Sequence, residues 1–147
     1  MRARIARVLL SLSSITLLFG GLMHALAFVR KAAPALNASH LPAFFVAELK
    51  SLWLADSTTL IAVGVIYAVA AIVPRAIPGL VLLLVSAVPA GTTLLIYGFL
   101  GGFYAAHLLA ASTLMASGAG LLRMFDAPRA MDSGIPVRAG QASGGSI

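Results

Sequence analysis

The 147-residue chain contains no cysteine, a single tryptophan and only four acidic residues, and charged residues make up 10% of it. The absence of thiols excludes disulfides, thiolate metal sites and cysteine nucleophiles. The scarcity of charge excludes an ordinary soluble domain, in which about a quarter of residues are charged. Familiar signatures of membrane enzymes are missing as well. The chain has no histidine-rich set, no zinc-protease helix motif and no acidic metal-diphosphate motif.

What is present is apolar, at 61% of residues. Residues 8–29 carry no formal charge and follow Arg2, Arg4 and Arg7. A membrane span needs roughly 20 mainly apolar residues to cross a hydrocarbon core of about 30 Å. Further stretches of that kind occur at 54–73, 78–98 and 103–124. The expected fold is an all-α membrane protein. It is a four-helix transmembrane bundle with an outer interfacial helical segment, either before or continuous with the second span. Residues 1–124 are then one transmembrane domain. The remainder, 125–147, is rich in Ser, Gly, Ala and Pro and reads as a disordered cytoplasmic tail.

The formal charge of +6 is scattered at span ends rather than gathered in a run, so it reads as orientation and not as a nucleic-acid surface. With the N-terminus in the cytoplasm, Arg2, Arg4, Arg7, Arg75, Arg123, Arg129 and Arg138 face inward and Arg30, Lys31 and Lys50 face outward. The positive-inside rule then places both termini in the cytoplasm. The Ala-, Leu- and Gly-rich sequence reads as a bacterial inner-membrane protein, so the sequon Asn37-Ala38-Ser39 is discounted. A competing reading makes residues 1–27 a signal peptide, because Ala25-Leu26-Ala27 fits a cleavage site. The apolar stretch exceeds the 7–15 residues typical of such a signal, which favours a retained span.

Within the spans, Ser13, Thr16, Gly20 and His24 fall on one helical face of the first, and that face is expected to pack against other helices, with Gly20 allowing close approach. Residues 30–41 read as an outer loop containing Pro34, and a helix is expected from Pro42, with Trp53 marking the outer membrane boundary. Pro89 should kink the third span, with Thr92 and Thr93 placed to satisfy backbone groups it frees. In the fourth span Ser112, Ala116 and Gly120 form a small-residue face suited to close helix packing.

Ionisable groups inside spans are costly and are therefore candidate functional residues. His24, Asp56 and His107 qualify, and chain direction puts each near the outer end of its span, together with Thr93. These four residues are expected to line one outer pocket, partly covered by segment 42–54. His24 and His107 would suit haem, and with Asp56 a transition metal. The plainer alternatives are interhelical hydrogen bonds for the histidines and a helix N-cap for Asp56. Interfacial anchoring accounts for Tyr97 and Tyr104.

The first functional expectation is a non-catalytic accessory or scaffold subunit, packed in the bilayer against other membrane proteins or its own copies. It draws on the Ser112, Ala116 and Gly120 face, with no nucleic acid involved. The rival is a redox or metal/haem-binding membrane protein using His24 and His107. A small transporter or channel comes third, since the inner two-thirds of the spans hold only Ser, Thr and Tyr as polar residues.

Overall fold

The computed structural model describes residues 1–126. It contains α1 (Arg2–Ala27), a π-helical turn (Phe28–Ala32), α2 (Ala33–Asn37), α3 (Ala43–Ile72), α4 (Gly79–Leu100) and α5 (Tyr104–Asp126), with no strand among the described residues. The expected disordered tail, with Arg129 and Arg138, lies outside the described residues from 127 onward, whereas residues 125 and 126 complete α5. The rod Arg2–Asn37 and helices α3, α4 and α5 are each long and apolar enough to cross a membrane. They pack as an all-α four-helix bundle, the form of a small multi-pass membrane protein.

The bundle is organised around α1, which packs against both α3 and α5, while α4 packs mainly against α5. Consecutive helices α3 and α4 touch only sparingly. The interior is built from small and hydroxyl residues, among them Ser13, Ser14, Ala70, Ser112, Ala116 and Ala119. Large side chains such as Ile15, Phe19, Leu84, Leu94 and Leu114 point outward. That inversion suits a bilayer, where lipid is as apolar as leucine and helices associate through close packing and hydrogen bonds instead.

Hydroxyl groups tie each interface. Between α1 and α5, the Ser13 and Ser112 Oγ atoms lie 2.6 Å apart, and Ser13 Oγ also donates to the Ser112 carbonyl at 3.0 Å. Ser14 Oγ donates to the Gly64 carbonyl on α3 at 2.8 Å. Tyr67 and Ser86 hydroxyls, 2.9 Å apart, join α3 to α4. Where the helices approach most closely, glycine is required. A Cβ on Gly21 would stand 2.8 Å from Ile61 Cγ1, and one on Gly79 would stand 2.5 Å from the Gly120 carbonyl oxygen. Gly20, the expected packing glycine, has open space around it. The buried positions of α1 run through Leu10, Ser13, Ser14, Leu17 and Gly21, so Gly20 lies beside that stripe.

Two expectations change at the end of the bundle where α1 finishes and α3 begins, the expected outer end. Residues 30–41 are not one loop, because the helical rod continues to Asn37 and the connection shrinks to residues 38–42. The π turn accommodates Pro34. The Ala33 N–H bonds to the Phe28 carbonyl five residues back, and this wider turn stands directly before the proline, which has no N–H to offer the preceding turn. The segment after Pro42 is continuous with the second span. α3 is a single helix of 30 residues, about 45 Å long, beside an α4 of 22 residues, about 33 Å. The buried residues of α3 start at Ser57, so its outer half extends past the four-helix body with α2.

Pro89 sits inside an unbroken α4. Thr92 and Thr93 donate to the carbonyls of Val88 and Pro89, each four residues back, at 3.2 and 2.7 Å. Neither reaches the Val85 carbonyl that the proline leaves free. A threonine hydroxyl finds the carbonyl one turn before it, not the one two turns away.

Candidate functional site

His24 is the centre of a polar cluster at the end of the bundle where α1 finishes and α3 begins, the expected outer end. It sits in the last turn of α1, where the buried stripe that includes Leu17 and Gly21 turns it toward α3. Its imidazole stacks on the Trp53 indole, with centroids 4.6 Å apart and planes 10° from parallel. The Trp53 Nε1–H donates to the His24 backbone carbonyl at 3.0 Å, locking the two helices together. His24 Nδ1 lies 2.9 Å from Ser57 Oγ and 3.8 Å from Asp56 Oδ2. Ser57 has a single hydroxyl hydrogen and also lies 3.0 Å from the Trp53 carbonyl; when it donates there, it accepts from His24 Nδ1–H. In that arrangement a neutral His24 is the Nδ1–H tautomer, with the lone pair on Nε2. The His24 and Asp56 side chains are 33% and 38% exposed, so the cluster is open at one side.

Asp56 stands in mid-helix, since α3 is continuous through it, and it caps nothing. The carboxylate that suggested an N-cap serves instead as a neighbour of the imidazole. Any imidazolium formed here has that charge partner within reach.

His107 stands elsewhere. Its Nδ1 is 2.6 Å from the Tyr97 hydroxyl, and both side chains lie on an exposed face of the α4–α5 pair. Thr93 is buried but returns its hydroxyl to its own helix. The structure thus brings His24 and Asp56 together and does not bring Thr93 or His107 to them. Both level and facing separate the two histidines. Ser13 and Ser112 mark one common level. His24 is eleven residues outward from the first and His107 five residues outward from the second, which leaves His24 about 9 Å nearer the outer end. The buried stripe of α5 runs through Ala106, Leu109, Ser112 and Ala116, and His107 is one position off it.

Comparison with known proteins finds no matching family, no similar curated protein and no similar solved structure. The chemistry of the site therefore rests on these side chains alone. Among the described residues no three His, Cys, Asp or Glu side chains gather as a metal-ligand set. The set of His24, His107 and Asp56 around one metal is not assembled, for the reasons of level and facing just given. What the cluster offers is one oriented imidazole with a free Nε2, an indole wall and an adjacent carboxylate.

Sequence reasoning missed three contributors. Trp53 reads as a boundary marker, and Ser57 disappears in the run Asp56-Ser57-Thr58-Thr59. Arg123 reads only as an orienting charge, yet its guanidinium donates to the carbonyls of Ala70, Pro74 and Ile77 at 2.6, 3.3 and 3.3 Å. A helix-period count would place Trp53 and Ser57 on one face, but only the partner helix shows what that face meets. The Ser112, Ala116 and Gly120 face is buried against the chain's own helices, so it offers no free surface to a partner.

The separation of the histidines has a measurable consequence. Stability losses from His24→Ala and His107→Ala should add within about 0.5 kcal/mol, as expected for sites without shared partners. His24→Ala and Trp53→Ala should be non-additive. Thermal unfolding of the three single variants and the two doubles in detergent checks both statements.

Proposed function

We propose that the chain is a non-catalytic accessory or scaffold subunit of the bacterial inner membrane, with both termini in the cytoplasm. The observation that carries this reading is the projecting outer hairpin. α3 has no buried residue between Ala43 and Asp56, and Phe44, Phe45, Leu49 and Leu52 stand exposed there beyond the reach of α4 and α5. Apolar aromatic surface outside the four-helix body suits contact with another membrane protein or a second copy. The interior supports the same reading, because Ser13, Ser14, Tyr67, Ser86 and Ser112 spend their hydroxyls on joints between helices.

A photocrosslinking residue placed at Phe44 or Leu49 in native membranes should yield one discrete protein adduct, while placement at the lipid-facing Leu114 should yield none. A protein that forms no adduct from either outer position and runs as a lone monomer would sink the proposal.

A second reading is favoured by one geometric detail, the free Nε2 of His24 beside Asp56. That pair suits a haem or metal ligand, with the remaining ligands supplied by water or another chain. Absorbance and elemental analysis of the purified protein decide between the two. The accessory reading expects neither a Soret band nor stoichiometric transition metal. Either one, abolished by His24→Ala, would transfer the assignment to the second reading.

A further inference from the structure

At the opposite end of the bundle from His24, the turn between α3 and α4 and the end of α5 enclose an open groove of about 800 Å³. Arg75 and Arg123 stand at it, while Ile77, Leu80 and Met124 give it an apolar lining. Ala3 completes one wall, which brings the N-terminus of α1, with Arg2 and Arg4 on either side of Ala3, to the same place. Arg75 is exposed on the turn. Arg123 is held rigidly by its three backbone carbonyls, and a guanidinium has five N–H donors, so it keeps further donors for an anion. α4 begins at the groove as well, with no side-chain cap on its first amides.

Cationic rim and apolar lining together describe an amphiphilic anion. The lining continues onto membrane-facing surface, because Leu80 and Met124 are both exposed large hydrophobics at an end of a candidate span. A soluble phosphate would use the arginines and leave that lining empty. We propose that the groove is a binding site for an anionic phospholipid of the surrounding bilayer, its phosphate between Arg75 and Arg123 and an acyl chain along Leu80 and Met124. Basic pockets between spans are suited to such headgroups, and each cation near the surface strengthens the attraction. The site needs the bilayer and not a protein partner, so it stands apart from the accessory reading.

The test uses the full chain purified in detergent and exposed to mixed micelles of phosphatidylglycerol and phosphatidylcholine, with retained lipid counted by native mass spectrometry. Phosphatidylglycerol should be retained in preference to phosphatidylcholine and should raise the unfolding temperature. Arg75→Gln should weaken that preference about fivefold, the share of one cation near a headgroup, while Arg30→Gln at the other end should leave it unchanged. Arg75 lies on an exposed turn and makes no hydrogen bond among the described residues, so its variant should fold. Equal retention of the two lipids overturns the proposal, as does a preference indifferent to Arg75→Gln. Displacement of the lipid by equimolar inorganic phosphate also overturns it, by assigning the arginines to a soluble anion.

Discussion

Gly120→Leu is expected to destabilise the α4–α5 pair, not merely to loosen assembly with partners. A Cβ on Gly120 would already stand 3.0 Å from the Gly79 carbonyl oxygen and 3.2 Å from two atoms of Leu83. The reciprocal Cβ on Gly79 would be closer still. Backbone meets backbone at this crossing, so no rotamer change makes room for a leucine. Overpacking of this kind costs about 3 kcal/mol, and the unfolding midpoint in detergent should fall clearly. Gly91→Leu on α4 is the control, since nothing lies within 4 Å of its Cβ position. It should leave the midpoint where it was or raise it, because leucine is the better helix former. Equal effects of the two substitutions would show that α4 and α5 do not cross at Gly79 and Gly120.

The second large effect is expected from Arg123→Met. Methionine keeps much of the side-chain bulk but removes three hydrogen bonds to carbonyls at the end of α3 and in the following turn. Those carbonyls lack helical partners, and a cation there also complements the negative end of the helix dipole. The loss should be about 3 kcal/mol, given that a hydrogen bond to a charged group is worth about 1.5–3 kcal/mol and the longer pair contributes less. Arg123→Lys keeps the charge but not the fork, so it should recover only part of the stability. Unfolding midpoints of the three proteins, compared at one lipid composition, give the result. Full recovery by lysine would mean that charge alone matters and that the fork geometry does not.

The fold was legible from hydrophobic run length, because each span needs about 20 apolar residues and four such runs stand apart in the sequence. Helix ends were less so. Pro34 looked like a loop residue, and only the π turn before it shows how a proline can sit in a rod that continues to Asn37. That extension also explains the misjudged site. Lying near the outer end of a span does not fix a common level, because α1 and α3 overshoot α4 and α5. Facing is harder again. His107 differs from the buried Ala106 by one residue, which turns it about 100° around the helix axis. Gly20 and Gly21 differ in the same way, and only the position of α3 decides which of them is needed. His24 and Asp56 were legible only as two of four residues expected at one end, and their adjacency depends on how α1 faces α3. The indole that stacks on the imidazole was not, since tryptophan has a sufficient explanation at any membrane boundary.

The central structural claim is that α1 lies at the middle of the bundle, between α3 and α5. A chain without cysteine allows this to be tested in native membranes by paired substitution. With Ser13→Cys and Ser112→Cys in one chain, mild oxidation should produce an intramolecular disulfide in a protein of full-length mass. Pairing Ser13→Cys with Leu94→Cys, exposed on α4, should produce none. A crosslink in the second pair without one in the first would contradict the account.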